Sequence, residues 1–506
     1  MNANSVSMNP RSSRSMQLAL LTFAALHTAS LLAPGADEIA LRDLPLLFAD
    51  DSGLAASEGV VRTVHPARTR SAPVLEAERA WEGSRVYIYG SVHFDAPTGR
   101  LGMWYLGHPD VDEKGNTPGV PGFRKGKGDI DLYATSPDGL HWDRPALGLH
   151  SFQGSTKNNI VFDLHSPSVL VDARETDLTK RYKMLGSLRG AYYAAVSPDG
   201  LSWTRYPGDQ PVLKSSDNIS LTQDPVTGDY LAYHRRSTKS HGRSVSLSRS
   251  PDFQSWSEPE PTFAADAEDD AWVKNPGERT EVNNLSVFPH AAGFIGLPTL
   301  FRVLGKDRDP AELTPGQSPT DGIVDVQLIT SGDGRVWQRT HPRVNVIPRG
   351  PPGSFDAGTI LGVASTCVHL GEETWVYYTA LTTSHGAPVP PKRISIGRAE
   401  WRRHGFVSLD AGERGRVETK PLRLGSPALN INANAQGGEL RVALLEADGS
   451  PMAGCSLEDC EPLRTDATRW RARWHSAAQP PTERPVRVVI AMRQARLFSI
   501  SSDAAP

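Results

Sequence analysis

The chain has 506 residues, 38% of them hydrophobic and 22% charged, with a formal net charge of −3. That length accommodates two or more domains, and the near balance of charge excludes a strongly basic nucleic-acid surface and an acidic disordered tail. Three cysteines exclude a disulfide framework, and neither a Cys-x-x-Cys nor a His-Glu-x-x-His spacing marks a zinc site.

The N-terminus reads as a secretory signal. Arg11 and Arg14 precede an apolar stretch from Met16 to Ala33, and small residues follow before Asp37 and Glu38. A signal over residues 1–36, cut near Ala33–Ala36, predicts a secreted or periplasmic protein. No second apolar run of spanning length follows, so stable membrane insertion is not expected.

Downstream the chain repeats itself. Ser136-Pro-Asp-Gly-Leu-His-Trp142, Ser197-Pro-Asp-Gly-Leu-Ser-Trp203, Ser250-Pro-Asp-Phe-Gln-Ser-Trp256 and Ser331-Gly-Asp-Gly-Arg-Val-Trp337 share one pattern. Ser closes a strand, Asp and Gly make a tight turn, and Trp opens the returning strand and packs inward. Three β-rich runs precede each copy. They lie at 85–93, 101–106 and 131–136 in the first unit, and at 168–172, 181–186 and 191–197 in the second. The third has 218–223, 230–235 and 244–250, and the fourth 282–288, 294–302 and 324–331. A fifth unit fits 359–369, 374–380, 393–401 and 405–409, with its last motif degenerate. Four antiparallel strands repeated five times predict an all-β, five-bladed β-propeller.

From about Gly412 the repeat disappears. Runs at 422–432, 439–446, 470–474, 486–492 and 495–501 alternate as strands, with Asp448-Gly449 as a hairpin turn. They predict a C-terminal β-sandwich over 412–506, after a propeller over 37–411. Cys455 and Cys460 are near enough in sequence for one local bridge, and Cys367 reads as a buried thiol.

In a propeller the first strand of every blade lines the axis. Starts of first strands and ends of second strands therefore meet on one face. At first-strand starts stand Glu82 after Trp81, Asn158-Asn159, Asp217-Asn218, Glu281 and Asp356. A ring of carboxylates couples electrostatically, holding some protonated and others ionised. Glycoside hydrolysis needs that division: one acid for the leaving oxygen, one base or nucleophile. Second-strand ends carry His108, His234-Arg235-Arg236, Arg302 and His385, suited to hydroxyls or anionic groups. Competing structural readings exist for each. Glu281 suits an ion pair with Arg279 or Arg302, Asp217 an Asx turn, Asp356 a turn, and His165 and His93 packed neutral roles. Long loops at 107–130, 304–323 and 381–392 lie on the same face.

The repeated hairpins, with Met103-Trp104-Tyr105 and Arg181-Tyr182-Lys183-Met184, resemble those of the five-bladed β-propeller glycoside hydrolases of families 32, 43, 62 and 68. Residues 438–449 and 495–499 are similar to the β-sandwich that follows the family 32 propeller. The resemblance implies three acidic residues at first-strand starts: Glu82 or Asp51, then Asp217, then Glu281. Glu281 would be the general acid, Glu82 or Asp51 the base or nucleophile, and Asp217 the tuning residue. Arg235, Arg302, His234, His385, Asp356 and Trp81 would hold the sugar. Family 32's Trp-Met-Asn-Asp-Pro motif and Glu-Cys pair are absent, so fructan cleavage is not implied. The expectation is an exported glycoside hydrolase with a carbohydrate partner and no nucleic acid. No cofactor and no metal ligand set is called for, although the axis leaves room for an ion such as calcium. The alternatives are a non-catalytic carbohydrate-binding propeller, or a phosphorylase or lyase using Arg235, Arg236 and Arg302.

Overall fold

The computed structural model describes residues 38–41, 44–109, 129–214, 217–238, 242–314 and 316–502. The expected signal over 1–36 and most of the 107–130 loop lie outside the described residues. Five antiparallel sheets form the blades. Blade 1 runs Val86–Asp95, Arg100–Gly107, Ile130–Ser136 and Ile160–Phe162, and blade 2 runs His165–Val171, Tyr182–Leu188, Ala191–Ser197 and Thr204–Tyr206. Blade 3 runs Ile219–Gln223, Tyr230–Thr238, Gly242–Ser250 and Glu260–Phe263. Blade 4 is built on Glu278–His290 and Gly293–Leu304, with Gly322–Val326, Ile329–Ser331 and Gln338–Arg339 outside them. Blade 5 joins Thr359–Val363, Glu373–Leu381 and Ile394–Arg402.

The repeated motif does at atomic scale what its residue types suggest. In the first copy the Ser136 hydroxyl accepts from the Gly139 N–H at 2.8 Å, and Asp138 Oδ1 accepts from Leu140 and His141 N–H at 2.8 and 2.9 Å. Ser197 and Asp199 repeat the bonds, as do Ser331 and Asp333. The turn glycine also ties blades together. Trp104 of blade 1 donates its indole N–H to the Gly200 carbonyl of blade 2 at 2.6 Å. Tyr233 reaches Gly334 at 2.8 Å, and Tyr377 reaches Gly139 at 3.0 Å. A Cβ at Gly200 would lie 2.7 Å from Trp104, and its φ is +76°, so both crowding and backbone demand glycine. Phe253 occupies that place in the third copy at φ +64°, packed edge-on against Tyr230 and Trp256.

Around the axis, small polar side chains lace the first strands into a closed ring. The Ser91 hydroxyl accepts from Val169 N–H at 2.7 Å, and the Ser168 hydroxyl from Leu221 N–H at 2.8 Å. Asn218 donates to the Asn283 carbonyl at 3.2 Å, Ser286 to the Val363 carbonyl at 2.9 Å, and Ser365 meets Ser91 at 2.6 Å. Serine suits these sites because a larger residue would hold the strands apart. Each bond is buried, so each leaves an orphaned polar group if deleted.

Three strand assignments differ from the sequence expectation. Trp142 does not open the outer strand of blade 1. Asp143 makes a single bridge to Thr135, Pro145 interrupts, and Ile160–Phe162 becomes the outer strand. The first strand of blade 2 therefore begins at His165, and Asn158-Asn159 belong to blade 1. In blade 5 the outer strand is Arg68–Thr69, paired with Ala399 and Glu400, rather than 405–409. His404, at φ +53°, and Gly405, whose N–H bonds the Arg402 carbonyl, turn the chain out of the blade.

The departing strand, Val407–Thr419, pairs along most of its length with Leu54–Val64. Its first part pairs with Ala495–Ser502 and its last part with Val486–Arg493, with a register shift between Ala411 and Arg416. That bend carries it from one layer of a C-terminal β-sandwich to the other. Ile39–Leu41 and Leu46–Leu47 join the same sheet system, so residues 39–64 pair with the sandwich although they precede the propeller. Leu41, Phe48, Val417, Ile431, Val442, Ile490 and Ile500 fill its core. Cys455 and Cys460 are buried there as free thiols, and the Val442 N–H donates to the Cys460 sulfur at 3.2 Å. Among the described residues no helix is long and apolar enough to cross a membrane.

Candidate active site

Asp217 and Glu281, two of the expected carboxylates, stand on the face where first strands start, and Arg243 feels the charge of both. Asp217 precedes the first strand of blade 3, with φ +130°, a strained conformation for a non-glycine residue. Arg235, from the end of the second strand, donates to its Oδ2. Glu281 lies in the first strand of blade 4. Arg279 Nε donates to its Oε1 at 2.7 Å, and Arg243 Nε approaches Oε2 at 3.4 Å. Arg243 stacks over Phe301 and feels the charges of both Glu281 and Asp217. Burial and the neighbouring Arg235 lower its pKa from the ordinary guanidinium value. Arg235, Arg243, Arg279, Glu281, Asp270 and Asp307 line a cavity of about 500 Å³ between blades 3 and 4.

Behind Asp217 stands a relay that the sequence pattern does not assign. Asp129, just before the third strand of blade 1, accepts from His108 Nδ1 at 2.8 Å and from His165 Nδ1 at 2.7 Å. His165 Nε2 faces Asp217 Oδ1 at 3.7 Å. Burial opposes charge on His165, but Asp129 and Asp217 together raise its pKa to about 9. Burial likewise opposes ionisation of Asp129, yet the two imidazoles hold it well below the usual carboxylate range. His165 is thus an imidazolium at neutral pH between two carboxylates, not a packed neutral histidine. Tyr89 packs beside it, ring centroids 5.9 Å apart, with its hydroxyl pKa raised well above normal by burial and then by Asp217. The signal that could have found His165 is strand phase: once it opens blade 2, it occupies the axial position that Asp217 and Glu281 occupy in theirs.

Other expected site residues lie elsewhere. Glu82 is fully buried in a polar knot: Oε2 accepts from Glu78 and Arg79 N–H, and Oε1 from Tyr105 and Arg144 at 2.6 Å each. Trp81 donates to Asn159 Oδ1 at 2.6 Å and packs edge-on against Phe152. Asp51 is exposed and paired with Arg62 at 2.5 Å, on the strand that enters the sandwich. Asp356 is buried in a turn, accepting from Ser354 and Tyr378 hydroxyls at 2.8 and 2.9 Å. Successive strand residues point to opposite sides, so while Arg235 reaches Asp217, His234 turns into the blade. There it meets Ser248 at 3.1 Å, and burial lowers its pKa to about 4. Arg302 is exposed on its strand. His385 does reach the site's edge, with its ring 5.0 Å from Phe301 and Nδ1 2.9 Å from the Thr320 carbonyl. The loops at 304–323 and 381–392 supply Asp307, Thr320 and His385 to this rim. Among the described residues no group of three or more His, Cys, Asp or Glu is arranged to hold a metal ion.

No family model matches the sequence. No curated protein matches it either. Among solved structures it is similar to an N-acetylgalactosamine deacetylase from F. plautii in complex with blood group B trisaccharide (16% identity, 72% of this sequence and 95% of that one, TM-score 0.38). It is similar to a thermostable family-43 glycoside hydrolase (12% identity, 65% and 90%, TM-score 0.39). It is also similar to fructofuranosidase from Schwanniomyces occidentalis complexed with fructose (11% identity, 85% and 97%, TM-score 0.37). The five-bladed architecture itself rests on the protein's own sheet pairing.

Proposed function

We propose that the protein is an exported glycoside hydrolase acting on an oligo- or polysaccharide at the axial mouth between blades 3 and 4. One observation carries the reading: Asp217 and Glu281, from neighbouring blades, are both held by arginines that line one cavity. Arg235 and the His165 cation both face Asp217 and compensate its negative charge. Glu281 is held more loosely, since Arg243 stands at 3.4 Å and Arg279 divides its bonds among Glu281, Asp307 and two carbonyls. We assign Glu281 protonation of the leaving glycosidic oxygen and, once deprotonated, acceptance of the proton from the water that then adds to the anomeric carbon, with Asp217 stabilising the positive charge that develops on the sugar. Glu82 and Asp51 take no part.

The test is sugar release by the protein from about Asp37 onward, on a panel of polysaccharides and aryl glycosides. Glu281→Gln and Asp217→Asn run beside it. Release by the parent, lost in both variants, supports the assignment. Retained release in Glu281→Gln removes Glu281 from the chemistry. A second reading, a non-catalytic carbohydrate-binding propeller, draws on the ion pairing of both carboxylates. Retention on a glycan column without release would select it.

A further inference from the structure

A second cavity of about 310 Å³ opens on the same face, across blades 5 and 1. Arg85, Tyr87, Leu361, His385 and Lys392 line it, together with the backbone turn at 316–318. We propose that this cavity is a subsite for an anionic substituent, a carboxylate or a sulfate ester, on the glycan held in the first cavity. The inference rests on the glycan reading above and names the substrate class.

Four observations carry it. First, the described lining residues include two cations and no carboxylate. Asp321, whose charge reaches Lys392, is engaged by Arg308 at 2.5 Å and by the Gly322 and Gly386 N–H groups at 2.8 Å each. Second, Lys392 is buried, and its ammonium donates to the Gly316 and His385 carbonyls at 2.8 Å each. An ammonium has three N–H donors, so one is left without an acceptor among the described residues and can serve a ligand. Third, Arg85 Nε is buried without a hydrogen-bond partner among the described residues. Buried guanidinium donors are normally satisfied, and an incoming anion satisfies one best through paired charge-assisted bonds. Burial, then the nearby Arg85 charge, lowers the Lys392 pKa to about 8, a cost that a bound anion relieves. Fourth, the two cavities share a wall. Arg243 of the first stacks on Phe301, His385 of the second packs on the same ring, and Thr320 bonds both, at 3.4 Å through its hydroxyl and 2.9 Å through its carbonyl. One substrate can therefore span them.

The experiment compares matched substrates. Oligogalacturonides are set against carboxyl-reduced counterparts, and sulfated galactan oligosaccharides against desulfated ones. The parent, Arg85→Gln and Lys392→Met are assayed for sugar release and, by calorimetry, for binding. The expected result is a preference of about tenfold or more for one acidic series, lost in Arg85→Gln with neutral-substrate turnover unchanged. Arg85 is half-buried, so its variant folds even if Lys392→Met does not. Preference confined to the uronates assigns a carboxylate, and preference confined to the sulfated series a sulfate. Equal handling of acidic and neutral substrates, or a preference untouched by Arg85→Gln, overturns the subsite and leaves the hydrolase standing. If nothing is cleaved, acid-selective binding that depends on Arg85 sustains the subsite while the hydrolase falls; absence of such binding overturns it.

Discussion

His165 Nε2 lies 3.7 Å from Asp217 Oδ1, while the opposite nitrogen of the same ring is 2.7 Å from Asp129. The imidazolium is shared between two carboxylates, and its pKa is raised to about 9 from an ordinary value near 6.5. A raised folded-state pKa stabilises the fold fully below pH 6.5, and that stability is lost as pH climbs through 9. The expected loss across this window is on the order of 3 kcal/mol. His165→Gln should flatten the slope between pH 7 and 9. Denaturant unfolding at stepped pH measures it, and an unchanged slope in the variant would refute the assignment.

The opposite sign applies below pH 6.5. Burial lowers the pKa of His234, His290, His369 and His385 to about 4, and that of His404 to about 2. As pH falls through 6.5 the unfolded chain takes up protons that the folded chain refuses, so stability drops between pH 6.5 and 4. The two trends together place the stability maximum near pH 6.5 to 7. A maximum above pH 8 would contradict the His165 trend, and one below pH 5 the trend of the buried neutral histidines.

Glu82 and Glu281 separate stability from chemistry. Glu82→Gln breaks a buried pair with Arg144 and should cost about 3 kcal/mol of stability while sugar release by the folded fraction persists. Glu281→Gln breaks a buried pair too, with Arg279 and Arg243, so its stability cost is comparable, and in the folded fraction it should lower kcat by roughly 10²- to 10⁴-fold. Loss of turnover in folded Glu82→Gln would return blade 1 to the chemistry.

The turn glycines give a paired test of inter-blade contact. Gly200 and Gly190 both have positive φ, at +76° and +84°, but only Gly200 has atoms within 4 Å of a built Cβ. Gly190→Ala should cost about 1 kcal/mol, from backbone strain alone. Gly200→Ala should cost about 2–4 kcal/mol, because Trp104 must also move. Equal costs in denaturant melts would mean that Trp104 yields freely.

The axial ring predicts a buried-bond penalty. Ser168→Ala removes the acceptor of the Leu221 N–H in a site with no solvent, and should cost about 1–3 kcal/mol. Hydrogen exchange at Leu221 should accelerate relative to the parent. No change would mean that the amide finds another acceptor.

The blades are legible in the sequence because Ser-x-Asp-x-x-x-Trp records a local turn, and each of its bonds spans only two or three residues. Its phase relative to the first strand is less legible. The excursion between Trp142 and Ile160 separates turn from outer strand, so the local pattern points to Asn158-Asn159 for the axial start that His165 occupies. Glu82 and Asp356 sit near first strands in sequence, but their neighbours Arg144 and Tyr378 pull them into the packed interior. Those partners lie 62 and 22 residues away, beyond any local pattern. Strand phase locates Asp217 and Glu281, which stand where first strands begin. It passes over Asp129, which precedes a third strand.

Blade 5 is completed by Arg68–Thr69, and Leu54–Val64 is matched to Val407–Thr419 some 350 positions later. Both partnerships join segments more than three hundred residues apart, so each waits for the five blades between them to be in place. Before they form, the outer edge of blade 5 and the strand at 54–64 lack their partners, and loop closure over such distance is slow. Refolding should therefore show an early phase from individual blades and a late first-order step in which the ring shuts and the sandwich assembles together, with the yield of that step, not its rate, falling as protein concentration rises.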